Sequence, residues 1–263
     1  MKKIILLFSV TWTIFLSSCS GSDDENTSTT DILLKKTIET YESGGNMITY
    51  TRDFTYNGNK LVNVVGIEGN DREEERYTYT GDLITKMESL TGSVVEDTEI
   101  YEYNANNQLI KVTATEAGYP SVFRSVYVYN ANGTVSVTNY TGTATDQGQQ
   151  TSTSTISFIN GDVSRVERTS TGSASTRIYR YDDKNNPFKN ITGLNKIIFA
   201  LGDEPGIVHN MVERINEEQS FPQNNSTTTI QYTYNSDNYP VTSSESRLRN
   251  GTTTNRGTTQ YFY

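Results

Sequence analysis

The chain holds one histidine, one cysteine and several runs of carboxylates, and these bound the chemistry it can carry. His209 stands in Val208-His209-Asn210, with no Ser-x-Gly elbow or second cysteine to serve. A Ser-His-Asp nucleophile or a histidine-based metal site would have to run on this single residue. A partly exposed loop or strand histidine is the expectation. The carboxylate candidates are Glu73-Glu74-Glu75, Glu96-Asp97 with Glu99, and Glu217-Glu218. Two carboxylates flanking a bond can hydrolyse a glycoside. No apolar cleft signature frames these runs, so they read as solvated acids. Asp182-Asp183-Lys184-Asn185-Asn186 places oxygen ligands at alternate positions, as a hard cation prefers. It lacks the sixth-position glycine and the distant bidentate glutamate, and turn geometry explains it more simply. No catalytic, metal-ligating or cofactor-binding residue is assigned, no cofactor is expected, and the chain reads as a non-enzyme.

Cys19 carries the one clear chemical assignment. Lys2-Lys3 precede an apolar stretch of 13 residues at 4–16, too short to cross a bilayer as a helix. Leu16-Ser17-Ser18-Cys19 resembles a bacterial lipobox, in which a small residue precedes a cysteine that is diacylated and becomes the mature N-terminus. Ser20-Gly21-Ser22-Asp23-Asp24-Glu25 resembles the surface-export signal of Bacteroidetes lipoproteins. The expected organisation is a lipoprotein signal peptide at 1–18, a flexible acidic tether at 19–30 and one repeat-built β domain at 31–263. Residues 1–18 hold two of the 22 basic residues, leaving 20 against 31 acidic ones, a net charge of −11. So acidic a chain offers no basic footprint for nucleic acid. The expected partners are a membrane, through the lipid anchor, and a glycan or surface protein.

The elements that would position any site come from a repeat. An aromatic pair at i and i+2 runs into an Asn- or Gly-rich turn at Phe54-Thr55-Tyr56-Asn57-Gly58-Asn59, Tyr77-Thr78-Tyr79-Thr80-Gly81-Asp82 and Tyr101-Glu102-Tyr103-Asn104-Ala105-Asn106. It recurs at Tyr127-Val128-Tyr129, Ile156-Ser157-Phe158, Tyr179-Arg180-Tyr181, Tyr232-Thr233-Tyr234 and Tyr261-Phe262-Tyr263. The second aromatics are spaced 23, 24, 26, 29, 23, 53 and 29 residues apart. Residues at i and i+2 share a strand face, and one period fits two strands of about 7–9 residues with their turns. The 53-residue gap reads as two periods, one degenerate and carrying an insertion. The fold expected is all-β: an antiparallel meander of about 14 strands, curled into an open barrel or half-barrel. Tight Asn-rich turns would line one rim. Longer connections at 67–75, 90–95, 116–122, 141–150, 170–175, 218–227 and 249–257 would line the other and carry recognition. Leu194, Ile197, Ile198 and Leu201 match i, i+3, i+4, i+7, so one short helical insertion is expected near 190–201. With only 33% hydrophobic residues, the tyrosine ladder is expected to form the core.

The repeat unit resembles a loose version of the tyrosine-aspartate repeats of RHS-type shell proteins. The whole layout is similar to a Bacteroidetes surface lipoprotein family of unknown function with a porin-like fold. The likeness rests on the lipobox, the acidic tether, the hairpins, Asn186-Pro187-Phe188 and Tyr234-Asn235-Ser236-Asp237-Asn238-Tyr239-Pro240. It implies the fold and no functional residue. A membrane-spanning barrel needs an outward apolar band on every strand, which Thr- and Ser-rich stretches such as 149–155 do not supply. The functional expectation is a non-enzymatic, lipid-anchored binding or adhesion-type protein at the outer membrane, facing the exterior. The alternatives are a structural subunit of an outer-membrane complex and a carboxylate-dependent hydrolase.

Overall fold

The computed structural model describes residues 31–201 and 206–263. The expected signal peptide, Cys19 and the expected tether lie outside the described residues. Sixteen antiparallel strands follow one another around a closed barrel. They are β1 (Lys36–Ser43), β2 (Asn46–Asn57), β3 (Lys60–Glu68), β4 (Asp71–Thr80), β5 (Leu83–Thr91) and β6 (Val94–Tyr103). Then come β7 (Leu109–Glu116), β8 (Val122–Tyr129), β9 (Val135–Gly142), β10 (Gln149–Ile159) and β11 (Asp162–Ser170). The last are β12 (Ser173–Tyr181), β13 (Met211–Glu218), β14 (Ser226–Tyr234), β15 (Pro240–Arg249) and β16 (Thr252–Phe262).

The strand number corrects the expected 14. Each of the eight aromatic pairs falls at the end of an even-numbered strand or just beyond it, so eight copies make sixteen strands. The 53-residue gap is one hairpin, β13 and β14, plus an insertion rather than two periods. The open barrel is also corrected. Lys36 pairs with Phe262 and Thr40 with Thr258, so β1 zips to β16 and no edge remains. Closure satisfies two rows of backbone groups that an open sheet would leave unpaired.

The expected helix does not form. Leu194–Lys196 and Ile198–Ala200 are two single 3-10 turns. Three of the four residues in the apolar pattern still face the core: Leu194 and Ile197 are buried and Ile198 packs against them. A short helix has little stability of its own, and here the barrel captures the backbone before a helix can propagate. Thr192 donates its N–H to the Asn59 carbonyl and accepts from the Tyr79 hydroxyl. Gly193 then turns with φ 78°, where a side chain would strike the Asp82 carbonyl.

The rim of long connections is shorter than the sequence suggests. Residues 69–70, 92–93, 171–172 and 250–251 are two-residue turns, and only 117–121, 143–148 and 219–225 are longer. Polar runs such as Asp71-Arg72-Glu73-Glu74-Glu75 continue as strand. Loss of apolar alternation there marks a wet inner face, not the end of the sheet.

The outer wall carries ion pairs in mid-strand, including Lys86–Glu88, Arg165–Glu167 and Arg180–Glu213. An Arg or Lys at the centre of a lipid-facing band costs about 2–4 kcal/mol. These pairs interrupt any continuous apolar band on the outer wall.

Candidate functional site

The insertion between β12 and β13 is a plug. It enters the barrel at the rim of Asn-rich turns. Ile191, Leu194 and Ile197 pack into one buried cluster with Leu61, Ile84, Leu109, Val135 and Val163. Phe199 meets Tyr127 and Phe158 edge-on at centroid distances of 5.6 and 5.9 Å. Phe188 lies 5.9 Å from Phe54.

The tyrosine ladder closes round this plug, as the low apolar content requires. Tyr101, Tyr127 and Tyr179 are buried. Several second tyrosines of the repeat donate their hydroxyl to a backbone carbonyl earlier in the chain: Tyr56 to Leu34, just before β1, Tyr103 to Ile84 and Tyr181 to Val163. Each ring thus fills the core while its polar tip is satisfied. Burial pushes Tyr79 up to about 12 and raises Tyr56, Tyr103 and Tyr181 well above the usual phenol value.

His209 and Asp162 latch the plug. Asp162, fully buried, accepts from the Ile207 and Val208 N–H groups at 2.8 Å, and its other oxygen lies 2.7 Å from His209 Nδ1. His209 is therefore a structural partner of a plug-holding carboxylate. Asp182 serves similarly: it accepts from Lys184 N, from Asn210 N and Nδ2, and from the Tyr234 hydroxyl. This is the Asx-turn role that Asn104 and Asn235 play at the β6–β7 and β14–β15 turns.

The plug fills one half of the barrel only. Beyond it, towards the rim of β3–β4 and β5–β6 turns, two cavities of about 460 and 570 Å3 open on its two sides. Phe188, Ile198 and Leu201 floor both. The larger is acidic. Glu73, Glu75 and Asp97 line it with Tyr50, Arg52 and Tyr77. Glu75 accepts from Tyr77 at 2.6 Å, and Glu99 accepts from Tyr101 at 2.5 Å. Burial, reinforced by these carboxylates, raises both tyrosines far above the usual phenol value. Arg52 lies 5.1 Å over the Tyr50 ring and 3.6 Å from Glu39. Gly66 makes room for Tyr50, since a Cβ there would collide with its hydroxyl.

The structure therefore divides the carboxylate runs. Glu73, Glu75 and Asp97 converge on one cavity, and Glu74 and Glu96 join its lining. Glu74 is held by Arg72, Arg76 and Asn63, and the Arg76 hydrogen bond keeps its carboxyl below the usual range. Glu218 lies across the barrel among arginines, apart from the other acids.

That basic wall is what sequence reasoning missed. Arg168, Arg177, Arg214, Arg247 and Arg249 line the lumen on β11–β15. The signal was present in the repeat. The residue two places before each first aromatic shares its face: Glu75 and Glu99 on one wall, Ser125 and Ser154 between, Arg177 on the other.

No family model and no curated protein matches this chain. Among solved structures, a porin-like protein from Bacteroides uniformis matches 86% of this chain and 94% of its own, at TM-score 0.55 and 16% identity. The fold is porin-like. A porin-like protein from Bacteroides vulgatus matches 89% of this chain and 99% of its own, at TM-score 0.45 and 12% identity. The first likeness agrees with the barrel seen here and with the porin-like fold that the sequence resemblance implied. At such identity it carries the fold and no function.

Proposed function

We propose that the protein is a non-enzymatic, lipid-anchored surface protein that presents a charged barrel mouth to an extracellular ligand. One observation carries this reading: the plug fills the barrel at one rim and leaves polar, charged cavities towards the other. The first described residues belong to the plugged rim, where Asn190 holds the Ile32 carbonyl and Asn59 holds Asp31. The charged outer wall supports a barrel held at the membrane rather than in it. Protease added to whole cells should remove the protein, and Cys19→Ser should release it from the membrane fraction. Full protection on intact cells, with digestion after lysis, would sink the surface assignment.

A second reading is favoured by the convergence of Glu73, Glu75 and Asp97: a carboxylate-dependent hydrolase working in the acidic cavity. Turnover of any oligosaccharide by the purified protein, abolished by Glu75→Gln, would promote this reading over the first.

A further inference from the structure

Five arginines of β11–β15 gather on one wall of the lumen, where Arg247 donates to Ser226 and Arg249 to the Gln223 carbonyl and Asn224. Arg168 and Arg177 line a cavity of about 280 Å3, and Arg177, Arg214, Arg247 and Arg249 line a neighbour of about 310 Å3. Glu218 is the one carboxylate in either lining among the described residues. The register sets Arg214, Thr228 and Arg247 abreast on β13, β14 and β15. The two arginine stems thus stand two strand spacings apart, about 9–10 Å. The next row towards the mouth is Arg177, Asn216 and Ser226.

Within this frame, buried polar atoms await a partner. Thr228 is 1% exposed, and its hydroxyl has no hydrogen-bond partner. The same holds for Arg247 Nε and Asn216 Oδ1. Buried polar groups in native proteins are nearly always satisfied, by protein or by something bound. Guanidinium groups stay charged at any working pH, and their planar forks match oxyanions in a bidentate fit. Ser170, Ser173 and Ser175 border the first cavity, and Asn216 and Asn224 the second, so hydroxyl and amide groups surround the cations.

We infer that the arginine wall of the lumen mouth binds the carboxylate or sulfate groups of an acidic polysaccharide. The two adjoining cavities share Arg177 and Glu218, so successive charged units of one chain can occupy both. Neither lining offers an aromatic face on which a nucleic-acid base could stack. The inference rests on the reading of the mouth as the ligand-facing end. It concerns binding by the purified protein, so it stands or falls separately from cellular location.

The test uses the full-length protein in mild detergent, with heparin as the polymer probe, inorganic sulfate as the free-ion probe and neutral dextran as control. The full chain carries a formal net charge of −9, so a polyanion held by it reports a local site. Arg214→Gln with Arg247→Gln should weaken heparin binding at least tenfold. Arg165→Gln with Arg180→Gln, an equal charge change on the outer wall, should alter it less than twofold. Thr228→Val should weaken binding about threefold while raising the melting temperature, a combination that simple unfolding would not give. Competition by millimolar sulfate assigns the site to the oxyanion itself; heparin binding without sulfate competition assigns it to the polymer. Equal loss in the inner and outer variants, binding of single-stranded DNA as tight as heparin, or no retention of heparin or sulfate would overturn the proposal.

Discussion

The plugged half of the barrel and its mouth are made from the same strands, yet they obey different rules. In the plugged half Tyr103, Tyr181 and Tyr56 each bury a ring and return the hydroxyl to a backbone carbonyl. At the mouth, the inward faces of β4, β12 and β15 carry Glu73, Glu75, Arg177 and Arg247 instead, with Glu75 two residues before Tyr77 and Arg177 two before Tyr179. The contrast teaches that position along a strand, not the identity of the strand, separates scaffold from site. A hairpin repeat can conserve one end for packing and vary the other for binding.

The largest test of that contrast is alkaline pH. Tyr79, Tyr101, Tyr103 and Tyr181 hold their protons in the fold above the unfolded value near 10, chiefly because burial disfavours the phenolate. The folded state thus binds more protons than the unfolded one. Stability is fully present below pH 10 and falls above it, by up to about 1.4 kcal/mol per pH unit for each such tyrosine. Phenolate absorbance and loss of sheet signal should appear together between pH 10 and 12. Smooth tyrosine titration from pH 10 with the barrel intact would break the comparison, because it would mean a wet ladder.

Next comes the plug itself. Ile197 is completely buried, so Ile197→Asp should cost more than about 4 kcal/mol in urea unfolding. Asp162→Ala should cost about 3 kcal/mol, because it strands two buried N–H groups and the His209 partner. If that variant loses no stability, the latch is ornamental. Tyr103→Phe removes one ladder hydrogen bond to the Ile84 carbonyl and should cost about 1 kcal/mol in the same assay. Smallest of all, Glu73→Gln with Glu75→Gln at the mouth should change stability by less than about 0.5 kcal/mol. A large destabilisation there would show that the acids are structural.

Much of the plugged half was legible in the sequence, because it depends on short-range rules. Aromatics at i and i+2 give a strand face, and Asn107, Asn160 and Asn238 adopt the positive φ expected of their turns. The tyrosine core followed from the lack of other apolar residues. The mouth was less legible. Runs such as Glu73-Glu74-Glu75 looked like solvated loop because strands facing water on both sides lose the apolar alternation that betrays a strand. The arginine wall draws on residues 168 to 249, and only the closed circumference sets them opposite the acids of β4 and β6. The helix reading failed for a related reason: the pattern at 194–201 reported which side chains are buried, while the barrel wall decided the backbone path.

The pairing of β1 with β16 also constrains how the molecule is made. The first strand of the domain waits for the last, more than 200 residues later, before either has a partner on that side. Until then the nascent sheet shows two open edges, at β1 and at whichever strand was made most recently. Contacts of such sequence separation form slowly, and exposed edges invite pairing with other chains. A chain cut before Thr252 would lose β16 and leave β1 and β15 permanently open. Such fragments should accumulate as oligomers, so the carboxy-terminal strand acts as the proofreading step of assembly.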